Sequence, residues 1–480
     1  MSEKQKNKSL NSLAMKAGIF YIISQLFVRG ISFLTAPVFS RLLSKAQYAE
    51  FSRYESWLLI FAPIMSLCLW RSVERAKYDV KEKFNEYVSS VQTLSYLSIG
   101  VFFLVFWMLR DVVEKVCSMT DFMLIVAFLY TFAHTSIFYM QRREKQMMRY
   151  RASTALTACT VIPATLLSVF LVTWGKNHGQ DSNLVNLRIL GYYTPLIIGG
   201  FTVAILMLAQ GKRIVSLNYW KYALKFSLPL IPEVLSIQIM NQSDKLMVIA
   251  MTGKENGSVI ALATQVSYII WIIEDAVWNA WLPWMYEKIS SRDTAGIEES
   301  WTVLMHGFGV FSWLLVALAP EIILILGGRK YADAVYLIAP LVTGTLFRFY
   351  SYSYTAIQNY YKKTGFVAAS TVFAMILNIL LNYAGIRLFG YQAAAYTTAF
   401  SYLALLIIQA GMEKRLTGKK LIPLKKTLII SCSWFTACTV TMLLFHLPWM
   451  IRYLIIAVSL PLILWYFMPK MKMILKCLKK

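Results

Sequence analysis

The chain has 480 residues, of which 58% are hydrophobic and only 15% are charged, too few charged side chains to cover the surface of a soluble domain. Its formal net charge of +24 would suit a nucleic-acid-binding protein, but the lysines and arginines lie in short segments between apolar runs. The composition therefore argues against an ordinary soluble protein and against a nucleic-acid partner. It favours a protein embedded in a membrane.

The chain begins with a basic segment, MSEKQKNKSL, which precedes an apolar stretch from about Lys16 to Phe39. This stretch is longer than the apolar core of a cleaved signal peptide, so it predicts a retained first membrane span. The six cysteines are scattered, without a CxxC pair or a cysteine–histidine cluster. They are interpreted as packing residues, and we expect no disulfide, metal site or cofactor.

Apolar segments long enough to cross a membrane, roughly 20 residues each, recur along the whole chain. They predict an all-α polytopic membrane protein with about 14 transmembrane helices. The predicted spans are 17–38, 55–72, 88–109, 121–140, 152–174, 187–209, 226–251, 257–284, 300–326, 332–357, 364–386, 391–412, 427–446 and 450–468. No gap between them is long enough for a folded domain.

Lysines and arginines are concentrated in nearly every second gap between these spans, as in the segments Arg142–Arg151 and Lys212–Lys225. Cytoplasmic loops of membrane proteins carry such an excess of positive residues. The alternation fits a cytoplasmic N-terminus, and an even number of spans returns the C-terminus to the same side. We therefore expect both termini in the cytoplasm.

Polar and charged residues inside the predicted spans are costly in hydrocarbon and usually face a bundle interior or a wet cavity. Many of them are three or four residues apart, which places them on shared helix faces. The candidate substrate-binding residues of such a cavity are Gln25, Arg29, Asn241, Asp244, Lys245, Arg348, Tyr352, Asn378 and Asn382. The eighth span adds two candidate ion-coupling residues, Glu274 and Asp275.

Each of these candidates also has a purely structural interpretation, and both remain open at this stage. Asp244 and Lys245 would neutralise each other or a neighbour. Asn378 and Asn382 would join helices through hydrogen bonds. Arg348 would extend toward the membrane surface if its span is shifted.

A faint internal repeat relates the two halves of the chain. Lys16 and Lys225 each begin an apolar run of about 26 residues, and Lys45 and Lys254 lie in the turns that follow, both pairs at an offset of 209. The pattern predicts two six-helix pseudo-repeat lobes, residues 1–211 and 212–415, followed by two extra helices and a basic cytoplasmic tail, residues 416–480. Two such halves around a central cavity are common in transporters.

Two segments resemble a known family. The stretch Ile31–Ser44 (ISFLTAPVFSRLLS) is similar to the first helix of Wzx-type bacterial polysaccharide and O-antigen flippases, and Ile239–Ile249 (IMNQSDKLMVI) is similar to a later helix of that family. The family belongs to the multidrug/oligosaccharidyl-lipid/polysaccharide exporter superfamily. The resemblance extends over nearly the whole chain through its plan of six, six and two helices.

The resemblance implies that the chain moves an undecaprenyl-pyrophosphate-linked oligosaccharide from the inner to the outer leaflet of the bacterial cytoplasmic membrane, and that it is not an enzyme. Arginine and lysine in the cavity would attract the pyrophosphate, and amide side chains would bind sugar hydroxyls. The implied partners are this lipid-linked substrate, membrane lipids, H⁺ or Na⁺ as a coupling ion, and other polysaccharide assembly proteins.

Three alternatives remain at this stage. An ion-coupled drug or metabolite antiporter would share the fold, but the charges within the spans are of mixed sign, whereas a cation exporter needs a net acidic cavity. A membrane glycosyltransferase or polysaccharide polymerase would need acidic catalytic residues and a sizeable external loop, whereas the external loops predicted here are short and contain no Asp-x-Asp pair. The sequence also has no HExxH, GxSxG or phosphate-binding GxxxxGK[ST] motif. A purely structural assembly subunit would leave the charges within the spans unexplained.

Overall fold

The computed structural model describes residues 30–461 except Ser32, Met148 and residues 418–420. Every regular element in this part of the chain is helical, and no strand occurs there. Within the described residues, eleven helical segments are long and apolar enough to cross a membrane. The prediction of an all-α, multi-span membrane protein is therefore confirmed.

Backbone contacts divide the chain into two compact units, residues 1–246 and 247–480, and the boundary falls within one helix. The helices of the first unit are α1 (33–42), α2 (Lys45–Met65), α3 (Ser72–Val80), α4 (Phe84–Met108), α5 (Arg110–Cys117), α6 (Asp121–Gln146), α7 (Tyr150–Asn177), α8 (Leu184–Gly211), α9 (Leu217–Ser227) and the first part of α10 (Ile231–Thr252).

The second unit contains the end of α10 and the helices that follow it. These helices are α11 (Lys254–Ser290), α12 (Ile297–Ala317), α13 (Ala319–Gly327), α14 (Val335–Tyr360), α15 (Thr364–Phe389), α16 (Ala393–Thr417), α17 (Leu424–Leu443) and α18 (Trp449–Pro461). The domain limits expected from the internal repeat remain a prediction.

The count of fourteen spans also remains a prediction. The first predicted span lies mostly outside the described residues, and the last is described only as far as Pro461. The second corresponds to α2, whose first half carries Glu50, Arg53 and Glu55, and α2 is absent from the eleven apolar segments. The ninth predicted span is two helices, α12 and α13, which are separated at Leu318.

Prolines and polar caps explain where several helices begin and end. Ser44 caps α2: its side chain accepts a hydrogen bond from the Gln47 N–H at 3.2 Å, and the Gln47 side chain accepts one from the Ser44 N–H at 2.9 Å. Pro229 and Pro232 lie at the break between α9 and α10, where Leu228–Leu230 forms a 3₁₀ turn. These prolines account for the break between the two helices.

In the first unit, α8 packs against both α6 and α7 at positions that lack a side chain. Gly191 of α8 lies against the backbone of Ser168 in α7, and Gly200 lies against the backbone of Ala133 in α6. A Cβ atom at either glycine would clash with that backbone. Small residues therefore set the close helix spacing here, as in many membrane bundles.

In the second unit, α14 is the central helix, because nearly all of its residues are buried and it packs against α11, α12, α16 and α17. The helix α17, beyond the predicted second lobe, is fixed to α12. Trp313 of α12 donates a hydrogen bond to the Thr441 hydroxyl at 2.9 Å, and the Lys426 ammonium lies 2.8 Å from the Glu298 carboxylate. This helix is thus an integral part of the second unit.

Candidate substrate-binding site

A buried ion pair joins α11 and α14 within the second unit. Arg348 Nη2 donates a hydrogen bond to Glu274 Oε2 at 2.7 Å, and the two residues are 6% and 1% exposed. Two isolated charges would be strongly unfavourable in this apolar surrounding, and pairing offsets much of that cost. The structure thus brings together one predicted substrate-binding residue and one predicted ion-coupling residue.

Aromatic rings surround this arginine. The Arg348 guanidinium lies 3.8 Å from the ring centre of Trp271 and 5.7 Å from that of Tyr352. The ring of Trp278 lies 5.5 Å from Tyr352 and extends the aromatic surface. Guanidinium groups stack favourably on aromatic faces, so the rings hold the planar group in a fixed orientation.

Two hydrogen-bond donors of this cluster are unused within the part of the chain that the structure describes. They are Arg348 Nε and Trp271 Nε1, both buried and without an acceptor there. A buried donor without a partner costs free energy comparable to a lost hydrogen bond. The cluster can therefore take an additional acceptor, such as a phosphate or sugar oxygen.

The polar face predicted for the seventh span lies in the first unit, on α10. Asp244 and Lys245 are buried, at 6% and 4% exposure, and Asn241 is half-buried. No ion pair joins Asp244 to Lys245, and the Lys245 ammonium makes no ion pair with any other residue in the described ranges. Lys245 is thus a buried cation of the first unit, as Arg348 is of the second.

The two predicted asparagines form a separate polar network between α15 and α16. Asn378 Nδ2 donates to Thr398 Oγ1 at 2.9 Å, Asn382 Nδ2 donates to Asn378 Oδ1 at 3.3 Å, and the Thr397 hydroxyl donates to Asn382 Oδ1. Both asparagines are fully buried. This geometry corresponds to the helix-joining interpretation of these residues.

Three further candidates fall in parts of the chain that the structure does not describe in full. Gln25 and Arg29 lie outside the described residues, and Asp275 lies in α11 without a described side chain. Within the second unit, Glu274, Arg348 and Tyr352 therefore form one cluster, and the asparagines form another.

Sequence reasoning missed one cationic residue that the structure makes prominent. Arg188, in the first turns of α8, has its guanidinium 3.6 Å from the ring centre of Phe51 and 4.0 Å from that of Phe39. Its Nη1 is buried without an acceptor in the described ranges. Arg188 lies at the start of a predicted span, where an arginine is usually part of a loop. The neighbouring pair Tyr192–Tyr193 is the signal in the sequence that indicates an aromatic environment.

Comparison with known proteins identifies a family and a relative that resemble this chain. Residues 14–289, more than half of the chain, match the family described as "Polysaccharide biosynthesis protein". A protein encoded at the Lsg locus of Haemophilus influenzae strain Rd is 21% identical over 382 residues, which cover 76% of this chain and 89% of that protein.

Solved structures of transporters share the fold. The lipid II flippase MurJ in an inward closed conformation superposes with a TM-score of 0.64 at 14% identity, covering 96% of this chain and all of that one. A mutant MATE transporter from Vibrio cholerae gives a TM-score of 0.58 at 11% identity, covering 86% and 98% of the two chains. A MOP superfamily transporter from Pyrococcus furiosus gives 0.57 at 14% identity, covering 84% and 96%.

These findings confirm the polysaccharide-flippase resemblance that the two segments suggested. The chain belongs to the polysaccharide biosynthesis protein family and is a multi-pass membrane protein that shares its fold with a lipid II flippase and with MATE transporters.

Proposed function

We propose that this protein translocates an undecaprenyl-pyrophosphate-linked oligosaccharide repeat unit from the inner to the outer leaflet of the bacterial cytoplasmic membrane, for assembly of a surface polysaccharide. Its termini lie in the cytoplasm, and the substrate crosses by alternating access between two halves. The family and the fold shared with a lipid II flippase support this proposal.

The observation that carries the proposal is the buried Arg348–Glu274 pair in its aromatic surround. A pyrophosphate is anionic and accepts several hydrogen bonds, and arginine binds such groups through two parallel N–H donors. The unused donors Arg348 Nε and Trp271 Nε1 offer sites for its oxygens. While the carrier is empty, Glu274 neutralises the arginine that would otherwise be an unpaired charge in an apolar bundle.

A deletion strain tests the proposal directly. Without the protein, undecaprenyl-linked repeat units accumulate on the cytoplasmic leaflet and surface polysaccharide disappears. Complementation with the wild-type chain restores both, whereas Arg348→Gln restores them poorly. The matched control is Arg387→Gln, because Arg387 is an exposed arginine of α15 whose side chain contacts Tyr383.

An ion-coupled drug or metabolite antiporter is the second candidate, since MATE transporters share the fold and Glu274 is a buried carboxylate that can exchange a proton or cation. The same deletion strain separates the two. Normal surface polysaccharide with altered tolerance to drugs would support the antiporter and contradict the flippase.

A further inference from the structure

The first unit contains a cavity of about 290 Å³ at the end of α2, the second half of α6 and the start of α10. Five polar side chains line it: Arg71, His134, Gln238, Ser66 and Thr135. The hydroxyls of the last two donate hydrogen bonds to carbonyl groups of their own helices. Two aromatic residues, Trp70 and Phe138, form part of its wall. None of these residues was among the substrate-binding candidates from the sequence.

The backbone that follows α2 brings Trp70 and Arg71 to this cavity. Pro63 lies in the last turn of α2, and the chain then turns through Leu67 and Cys68, whose φ angles are 52° and 50°. Non-glycine residues rarely adopt this left-handed conformation, and such residues cluster at binding sites. The Cys68 N–H donates to the Pro63 carbonyl at 3.1 Å and fixes the turn.

Arg71 is the cation of the cavity, and its charge is not matched by a carboxylate in the described ranges. Its guanidinium lies 5.4 Å from the Trp70 ring, and its buried Nε has no acceptor there. The neighbouring carboxylate of Glu74 is paired with Arg142 instead. A half-buried guanidinium with a free N–H is suited to an anionic ligand.

His134 and Gln238 supply neutral polar groups that can bind a ligand. Neither side chain makes a hydrogen bond to another residue in the described part of the chain. The His134 ring packs edge-on against Phe138 at 4.5 Å and stacks on Tyr130 at 4.9 Å, so its position is fixed by rings rather than by polar contacts. Polar groups in an apolar surrounding need partners, and here a ligand or water must supply them.

We propose that this cavity binds a single sugar ring that carries an anionic group. Arg71 binds the anion, His134 and Gln238 bind hydroxyl groups, and the faces of Trp70 and Phe138 pack against the C–H surface of the ring. The volume lies at the lower end of the range for ligand pockets, which suits one sugar residue rather than a whole oligosaccharide.

This assignment rests on the proposed function. The cavity would be the place where the lipid-linked substrate first contacts the protein. The predicted topology puts the end of α2, and with it Arg71, at the cytoplasmic side, where a lipid-linked sugar would be collected. The anionic group has two sources: the phosphate that joins sugar to lipid, or a carboxylate on an acidic sugar.

Binding by the full-length protein in lipid nanodiscs tests the inference. The probes are undecaprenyl pyrophosphate alone, the same lipid carrying one N-acetylglucosamine, and the same lipid carrying one glucuronic acid. We expect Arg71→Gln to weaken binding of the N-acetylglucosamine lipid about tenfold. Gln238→Leu should weaken binding of the two sugar-bearing lipids only. The control Arg75→Gln, in an exposed arginine paired with Asp79, should bind like the wild type.

Loss of affinity by Arg71→Gln for the glucuronic acid lipid alone would support the site and identify the sugar carboxylate as its anion. Wild-type affinity of both Arg71→Gln and Gln238→Leu for all three lipids would overturn the inference. If Arg71→Gln does not fold, Gln238→Leu and His134→Phe decide the question by the same criterion.

The failure of this inference is distinguishable from failure of the proposed function. If the wild-type protein binds sugar-bearing lipid and Arg348→Gln impairs export while the cavity variants behave normally, only the cavity assignment is wrong. If the wild-type protein binds none of the lipids and its deletion leaves surface polysaccharide intact, the proposed function is wrong as well.

Discussion

Gly309 of α12 lies directly against the indole of Trp434 in α17, so close that a Cβ atom on the glycine would overlap the ring. The same indole donates a hydrogen bond to His306 Nδ1 at 3.3 Å. The close packing of α17 against α12 therefore requires a residue without a side chain at position 309.

Replacing this glycine should loosen α17. We expect Gly309→Leu to lower the unfolding temperature of the purified protein, because the leucine must displace Trp434 and break its hydrogen bond. The matched control is Gly307→Leu in the same helix, since a Cβ atom at Gly307 meets nothing within 4 Å. Equal unfolding temperatures for the two variants would contradict this account of the packing.

Breaking the buried ion pair from one side should be much more costly than removing both charges. Glu274→Gln leaves Arg348 as an uncompensated buried cation, at a cost to the free energy of unfolding of about 3–5 kcal/mol. The double variant Glu274→Gln, Arg348→Met should recover much of that loss. Denaturant unfolding in detergent measures both, and a double variant as unstable as Glu274→Gln would refute the explanation.

A partly exposed pair provides the reference for that measurement. Lys426 and Glu298 lie 2.8 Å apart, but their side chains are 44% and 41% exposed. We expect Glu298→Gln to change the free energy of unfolding by less than about 1 kcal/mol, because solvent screens such pairs.

A variant in the asparagine network can distinguish a role in helix packing from a role in substrate binding. If Asn378 and Asn382 only join α15 to α16, Asn382→Leu should lower the unfolding temperature and the amount of folded protein, because it removes bonds to Asn378 and Thr397. Export per folded molecule should stay close to wild type. A large loss of export at normal unfolding temperature would assign Asn382 to the substrate path instead.

Thiol labelling tests whether Cys117, which lies between α4 and α6, is buried. Cys117, at the end of α5, is 5% exposed, and burial raises the pKa of its thiol to about 11. The reactive species is the thiolate, so iodoacetamide should label Cys117 slowly at neutral pH, and the labelling rate should keep rising with pH until it levels off near pH 11.

The matched control is the neighbouring exposed position, as Ser118→Cys in a variant that lacks the native cysteines. It should react rapidly near neutral pH. The sign of the pKa shift also implies that the thiol contributes stability below its unfolded pKa and that this contribution is lost as the pH rises toward 11. Equal labelling rates at the two positions would contradict the burial of Cys117.

Helix positions were the most predictable part of this fold. A helix that crosses a bilayer needs about 20 apolar residues, and apolar segments of this length are easily recognised in the sequence. The predicted limits of 121–140 and 364–386, for example, lie within α6 and α15. The break at Leu318 was missed, since α12 and α13 are both apolar and only Pro320 marks the second helix. Hydropathy does not report such breaks.

The site was less predictable, because its contacts join residues distant in sequence. Arg348 and Glu274 were each singled out as polar residues within spans, but nothing local indicates that they pair across 74 positions. Nothing in the sequence around Arg71 indicates a cavity, because its place there depends on the turn after α2. Arg188 was missed for a similar reason.

The pairing of Arg348 with Glu274 also has an electrical consequence. Moving one elementary charge across a membrane potential of 100 mV takes about 2.3 kcal/mol. A paired arginine and glutamate carry no net charge, so this part of the empty carrier would return between its two states without work against the voltage. Only the loaded carrier, with its anionic cargo, would feel the membrane potential at this point.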